Sequence, residues 1–222
     1  AAPGTARPWH EFRRRTVDAG RIEGGVRFWQ EHRAVLERAS REFSVPEEII
    51  VATIGIETIY GRVTGSFKVL DALATLAFDY PPRAEFFRGE LEQFLLLARE
   101  SGLDAANARG SYAGAIGIPQ FLPSSYRKYA VDFDGDGRRD LVGSVADAIG
   151  SVANYYKAFG WKPGAGVVVP VDSGDADIAT LLAAGIKPHM KVAELKTRGL
   201  LVQEAVDDAA EAALISIQTE AG

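Results

Sequence analysis

Ser44-Val-Pro-Glu-Glu-Ile-Ile-Val-Ala-Thr-Ile-Gly-Ile-Glu-Thr-Ile-Tyr60, closed by Gly61, is the stretch on which the fold turns. Ser44 and Glu47 stand at capping-box spacing with a proline in the first turn, so a helix is predicted from Pro46 to Tyr60. Gly61 reads as its stop. Ile49, Ile50, Val51, Ala52, Ile54, Ile56 and Ile59 leave it almost no polar face, and a helix apolar on every side is expected to be buried. Glu57 is the only charged residue between Glu48 and Arg62. Desolvation and the negative end of the helix dipole both push a carboxyl there toward its protonated form. A glutamate held protonated near neutrality can serve as a general acid. A structural glutamate paired with Arg62 or Arg83 would be perturbed in the same way. The helix pattern leaves both readings open.

Working outward, Phe28, His32, Val35, Leu36, Ala39 and Phe43 recur at helical spacing and predict one helix over Arg27 to Phe43. Downstream, Asp71 to Phe78 is a short helical pattern. Pro81-Pro82 then punctuates before a long helix from Arg83 to about Arg99, with Phe86, Phe87, Glu90, Leu91, Phe94 and Leu97 along one face. Ser111 to Ser125 is rich in glycine, serine and proline and reads as a loop. Ser144-Val-Ala-Asp147 offers another capping box, opening a helix that Gly160 ends. After Trp161 the composition shifts. Pro163-Gly-Ala-Gly reads as a linker, Val167 to Val171 and Ala213 to Gln218 as strands, with short helices around Leu181 and Leu195. The expected organisation is a helical domain over residues 1–162 and a small mixed α/β segment over 163–222.

Asp132-Phe-Asp-Gly-Asp-Gly-Arg-Arg-Asp140 matches the start of an EF-hand loop. Asp132, Asp134, Asp136 and Asp140 fall at the oxygen-donor positions, Gly137 at the sharp turn, and Arg138 where a backbone carbonyl is used. Gly143 stands where the bidentate glutamate is usual, and Asp147 is the natural substitute, which makes a longer loop over 132–147. Clustered carboxylates of this kind repel one another unless a hard cation joins them. The alternative is a solvated acidic turn without metal. With a single such loop, a structural calcium is expected rather than a switch.

The bulk numbers exclude several function classes. The chain has 222 residues, of which 47% are hydrophobic and 25% charged, enough to bury a core. Its net charge of −5 provides no basic field for a nucleic-acid backbone, so nucleic acid is not an expected partner. Cysteine is absent, which excludes disulfides, thiolate metal sites and a cysteine nucleophile. No apolar run reaches the ~20 residues that span a bilayer. Ala1 to Arg7 shows neither a signal-peptide apolar region nor a lipidation cysteine and reads as a processed or engineered end. His10, His32 and His189 lack metal-ligand spacing.

Four ordered motifs resemble those of the membrane-bound lytic transglycosylase B family. They are Ile56-Glu-Thr-Ile-Tyr-Gly-Arg62, Val69-Leu-Asp-Ala-Leu-Ala-Thr-Leu-Ala-Phe78, Ser111-Tyr-Ala-Gly-Ala-Ile-Gly-Ile-Pro-Gln-Phe-Leu-Pro-Ser-Ser-Tyr126 and Asp147-Ala-Ile-Gly-Ser-Val-Ala-Asn-Tyr-Tyr156. The similarity runs from about Trp9 to Trp161, with the EF-hand-like loop in its expected place. The resemblance implies a mainly α, lysozyme-like domain around a groove for glycan strands of N-acetylglucosamine and N-acetylmuramic acid. It implies cleavage without water to a 1,6-anhydro sugar, with Glu57 as the sole acid/base. Ser111, Gln120 and Tyr155 match sugar-contacting positions. Tyr126 and Arg83 are further candidates for the groove, while Tyr112, Phe121 and Tyr156 could stack on sugar or fill core. Asp71 reads as a helix cap. The calcium is structural in the family, which suits Asp132, Asp134, Asp136, Arg138, Asp140 and Asp147. The implied setting is a monomer in the periplasm of a Gram-negative bacterium, associated with the outer membrane through a segment absent from this sequence.

The sequence departs from the family in places. The segment of the type Asn-Phe-x-x-Ile-x-x-Tyr-Asn is not found, which implies a groove lacking one wall, and Phe12 stands where a tyrosine is frequent. A muramidase hydrolysing the same bond and a non-catalytic calcium-binding glycan module remain as alternatives at this stage.

Overall fold

The computed structural model describes residues 8–217. The chain divides into two compact units, one of Thr16–Trp161 and one joining the residues before Thr16 to those from Lys162 onward. Helices dominate, as the sequence pattern requires, and the strands are two residues each.

The larger unit is built on two cores. The first is formed by α2 (Ala19–Glu31), α3 (Arg33–Phe43), α4 (Glu47–Thr58) and α8 (Val145–Ala158), which bury Phe28, Leu36, Ala39, Ile50, Ile54, Ile149 and Val152. The second is formed by α5 (Val69–Asp79), α6 (Ala84–Ser101) and α7 (Pro123–Tyr129) around Leu73, Phe87, Phe94, Leu97 and Tyr126. The glycine-rich loop that precedes α7 belongs to both, for Ile118 enters the first core while Ile116 and Phe121 enter the second. That double anchorage explains why so glycine-rich a segment is ordered. The antiparallel pair β1 (Phe67–Lys68) and β2 (Arg109–Gly110) closes the base of the loop, with Phe67 opposite Gly110.

Several boundaries differ from the expected ones for identifiable reasons. The helix predicted over Arg27 to Phe43 is broken at His32, whose backbone leaves the helical region and whose N–H caps α2 on the Phe28 carbonyl. The break lets Phe28 and Leu36 enter one core from two directions. The capping box before α4 does not form. Ser44 is the left-handed cap of α3 (φ 58°), leaving only Val45 and Pro46 before α4. Glu47 instead accepts a hydrogen bond from the Trp29 indole at 2.6 Å. The second capping site behaves as expected, with the Ser144 hydroxyl accepting from the Asp147 N–H.

In the smaller unit, α1 (Trp9–Thr16, but for its last residue) accompanies two antiparallel ribbons. These are β3 (Val171–Asp172) with β5 (Leu201–Val202), and β4 (Met190–Lys191) with β6 (Glu211–Ala212). Leu181 of α9 (Ile178–Ala183), Leu195 of α10 (Val192–Thr197) and Leu200 form its core. The strand expected over Val167 to Val171 is reduced to its last residue, because Val167 and Val168 are exposed and find no partner strand. Likewise Ala213 to Ile217 lies beyond β6 without ladder pairing, and Gln218 falls outside the described residues.

Candidate active site

The prediction that α4 is buried on every side is overturned. Ile50, Val51, Ile54 and Thr58 are buried, but Ala52, Ile56 and Glu57 lie on an open side, Ile56 at 51% exposure. This side of α4 is an apolar wall open to water. Glu57 stands on this wall one residue from the end of α4.

No hydrogen bond or ion pair engages the Glu57 carboxylate among the described residues, so the structural ion-pair reading with Arg62 or Arg83 does not hold. Arg83 instead lays its guanidinium over Phe86 at 4.4 Å and Phe87 at 5.2 Å. Although solvent reaches Glu57, the protein around it strips part of its hydration, and this desolvation raises its pKa above the ordinary glutamate value. No neighbouring charge contributes to that rise.

Beyond Glu57 the backbone makes a left-handed turn through Ile59 (φ 53°) and Tyr60 (φ 61°). The Tyr60 ring lies against α2 and α4 where a Cβ on Gly25 or Gly55 would come within 2.6 Å of its hydroxyl. That hydroxyl donates to the Arg21 carbonyl at 2.9 Å. The glycines at these positions make room for the ring.

The glycine-rich loop meets this turn. The Ser111 hydroxyl accepts from the N–H groups of Ala113 and Ala115, shaping the loop's first bend and leaving its own proton to donate. Gln120 adopts a positive φ of 52° and donates through Nε2 to the carbonyls of Gly117 at 2.8 Å and Thr64 at 3.0 Å. Both protons of the amide are thereby used, so its oxygen is the group left for another partner. Phe121 packs on Tyr155 at 5.2 Å, and Tyr155 in turn stacks with Phe159 at 4.4 Å. Tyr155 is half-buried, and burial, followed by the neighbouring Tyr129 and Tyr156, raises its phenol. A continuous path of contacts thus joins the end of α4, Gln120 and Tyr155.

Tyr126 does not belong to that surface. It is 5% exposed, its hydroxyl donates to the Arg139 carbonyl and accepts from the Leu141 N–H, both at 2.8 Å. Burial pushes its pKa to about 12. Its role is to fasten α7 to the acidic loop, which corrects the expectation of a sugar contact. Phe121 is likewise buried, and Tyr156 bonds Thr53 at 3.0 Å, whereas Tyr112 is open to solvent.

In the acidic loop the carboxylates of Asp132, Asp134 and Asp147 each place an oxygen within 4.8 Å of the others. Asp132 and Asp134 are exposed, while Asp147 is fully buried. Asp147 accepts from the N–H groups of Phe133 (2.6 Å), Asp134 (3.2 Å) and Asp140 (2.7 Å), and so serves as the internal clamp of the loop. Asp132 accepts from Gly135, Asp136 and Gly137. Asp136 turns to the Arg138 N–H, and Asp140 to those of Val142 and Gly143. These two stand outside the three-carboxylate group. The oxygen-only donor set and its compactness suit a hard divalent cation.

Among the buried polar residues to which the sequence reading gave no role are Glu90 and Thr58. Glu90, counted there on an apolar face, is 5% exposed and accepts from the Ser124 N–H at 3.0 Å and hydroxyl at 2.6 Å, capping α7 from α6. Thr58 is wholly buried and joins the turn to the loop. A charge or hydroxyl inside a helix's apolar stripe was the available signal for both.

With this arrangement in place, comparison with known proteins is informative: the chain belongs to the transglycosylase SLT domain family, whose pattern matches residues 1–222. It is 45% identical over 214 residues to membrane-bound lytic murein transglycosylase B of Escherichia coli K12, covering 96% of this chain and 58% of that protein. This chain therefore spans somewhat over half the length of that relative. Soluble lytic transglycosylase SltB1 of Pseudomonas aeruginosa superimposes with a TM-score of 0.89 at 45% identity, covering 100% of this chain and 74% of that one. The Escherichia coli lytic transglycosylase Slt35, solved in complex with calcium, superimposes with a TM-score of 0.83 at 44% identity, covering 96% and 66%.

Proposed function

We propose that this chain carries the catalytic machinery of a peptidoglycan lytic transglycosylase. Its Glu57 cleaves the β-1,4 bond between N-acetylmuramic acid and N-acetylglucosamine without water. The observation that carries the reading is a lone carboxyl on an open apolar wall, raised by desolvation with no charged neighbour contributing. Glycosidases that hydrolyse this type of bond generally use paired carboxylates about 5–9.5 Å apart, close enough to act on one another's charge. A transglycosylase needs only one. Glu57 protonates the glycosidic oxygen as the C1–O bond breaks, and the substrate's 2-acetamido group supports the developing positive charge at C1. The same carboxylate then takes the proton from the C6 hydroxyl as its oxygen closes onto C1, which returns Glu57 to its starting state. The products are a 1,6-anhydro-muramoyl end and a free 4-hydroxyl on the glucosamine.

Ser111, with a proton to donate, and Gln120, with a free amide oxygen, would hold sugar hydroxyl and acetamido groups. Tyr155 offers an apolar face to a ring, and exposed Arg83 a charge for the acidic lactyl or peptide portion of the strand. A calcium ion held by Asp132, Asp134 and Asp147, with Asp136, the Arg138 carbonyl and Asp140 completing the shell, would neutralise the loop and stabilise it. The membrane-bound relative from Escherichia coli supports a setting in the periplasm of a Gram-negative bacterium, where the chain would act on glycan strands as a monomer.

Incubation of purified peptidoglycan with the wild-type chain and with Glu57→Gln tests this function. Soluble fragments are expected from the wild type alone, with both proteins pelleting with the insoluble wall. Equal release by Glu57→Gln would refute the assignment of the acid/base.

A further inference from the structure

The Glu57 side chain has no hydrogen-bond or ion-pair partner among the described residues, so its place depends on the end of α4 and on the turn that follows it. That turn is costly to make. Ile59 is β-branched and sits at φ 53°, ψ 51°, followed by Tyr60 at φ 61°. Non-glycine residues in this region cost about 1–3 kcal/mol each and persist only where the surroundings over-determine them. Helix-end hydrogen bonds do part of this, from Ile59 N–H to the Gly55 carbonyl at 3.1 Å and from Val63 N–H to the Thr58 carbonyl at 2.9 Å.

A further part runs through one buried hydroxyl. Thr58 Oγ1 accepts from the Gly61 N–H at 3.0 Å, which closes the left-handed turn. It donates at 2.7 Å to the carbonyl of Ile118 in the glycine-rich loop, and the group is fully buried. A second bond crosses in the opposite sense, from Gln120 Nε2 to the Thr64 carbonyl at 3.0 Å. The strained turn after Glu57 and the strained Gln120 are thus clasped to one another by reciprocal hydrogen bonds.

We infer that Thr58 is the positioning residue of the site, its hydroxyl setting the place of the Glu57 carboxyl relative to the loop that bears Ser111 and Gln120. The inference rests on the proposed role of Glu57. Valine fills the volume of threonine without the hydroxyl, so Thr58→Val removes the Thr58 half of the clasp and leaves the Gly61 N–H and the Ile118 carbonyl without that partner. Serine keeps the hydroxyl and loses a methyl group. Misplacement of a catalytic group by about 1 Å can cost roughly 100-fold in rate.

The experiment measures kcat and KM for Thr58→Val and Thr58→Ser well below their melting temperatures. Amide hydrogen exchange at Gly61 is followed in the same proteins. Thr58→Val is expected to lower kcat by roughly 10- to 100-fold with KM within about twofold of wild type, and to lose protection at Gly61. Thr58→Ser should recover both readouts. A purely structural threonine would lower the melting temperature and leave kcat within about twofold, and that result overturns the inference. Unchanged Gly61 protection in Thr58→Val overturns it as well. If the wild type itself releases no fragments, the proposed function fails, and the exchange data alone then decide whether the clasp orders the turn.

Discussion

Replacing Asp147 by alanine separates what its carboxylate does for the chain from what it does for an ion. Asp147 is fully buried and accepts from three backbone N–H groups, those of Phe133, Asp134 and Asp140. Alanine leaves all of them without an acceptor. The Phe133 bond, at 2.6 Å, is buried, while the other two are partly buried and open to water's help. A hydrogen bond to a charged group is worth about 1.5–3 kcal/mol and an orphaned buried donor about 1–3 kcal/mol. One full loss at Phe133 and two partial ones sum to about 3–5 kcal/mol. For a chain of this size each kcal/mol moves the melting temperature by about 2–4 °C, so the expected fall is on the order of 10 °C. The assay is thermal unfolding followed by circular dichroism in EDTA, where no ion can contribute. A fall below about 2 °C in EDTA, with a large loss only in calcium, would show that Asp147 is merely an ion ligand and refute the clamp.

Calcium is expected to stabilise the wild-type chain by linkage, by about 2.7 kcal/mol at 100 times its Kd, or roughly 5–10 °C. The double variant Asp132→Ala/Asp134→Ala should lose that response, and a melting point identical in EDTA and millimolar calcium would remove the metal from the account. The raised pKa of Glu57 also fixes the sign of a pH effect. Its ionised form is disfavoured in the folded state, so its destabilising effect is full above the folded pKa and absent below the unfolded one. Glu57→Gln should therefore melt higher than wild type at neutral pH, with the difference vanishing as pH falls through that window. A melting difference that does not change with pH would contradict the desolvated carboxyl. Glu90→Ala strips the Ser124 N–H and hydroxyl of their acceptor and is expected to cost about 2–3 kcal/mol in urea unfolding without abolishing activity.

The sequence was most legible where one interaction decides. The 3.6-residue periodicity located α6 because the core takes one of its faces, and Ser144 announced the cap of α8, whose residues 147–153 are all buried. It was least legible where tertiary geometry competes. Ser44 looked like the cap of α4, but the two residues left before that helix commit it to ending α3 instead. Helix α4 read as wholly buried because nothing in an apolar stripe distinguishes a side packed on the core from one open to water. The same ambiguity hid the difference between Tyr126, locked by its hydroxyl inside the second core, and Tyr155, half open beside the loop. Thr58 passed unnoticed because its importance lies in a partner, Ile118, 60 residues away.

Identifying the ends produced from purified peptidoglycan by mass spectrometry tests the central claim most directly. Muropeptides ending in 1,6-anhydro-muramic acid, lighter by one water than reducing ends and absent with Glu57→Gln, are the predicted result. Reducing ends in place of anhydro ends would mean that water, and not the C6 hydroxyl, attacks C1, and would contradict the single-carboxylate mechanism.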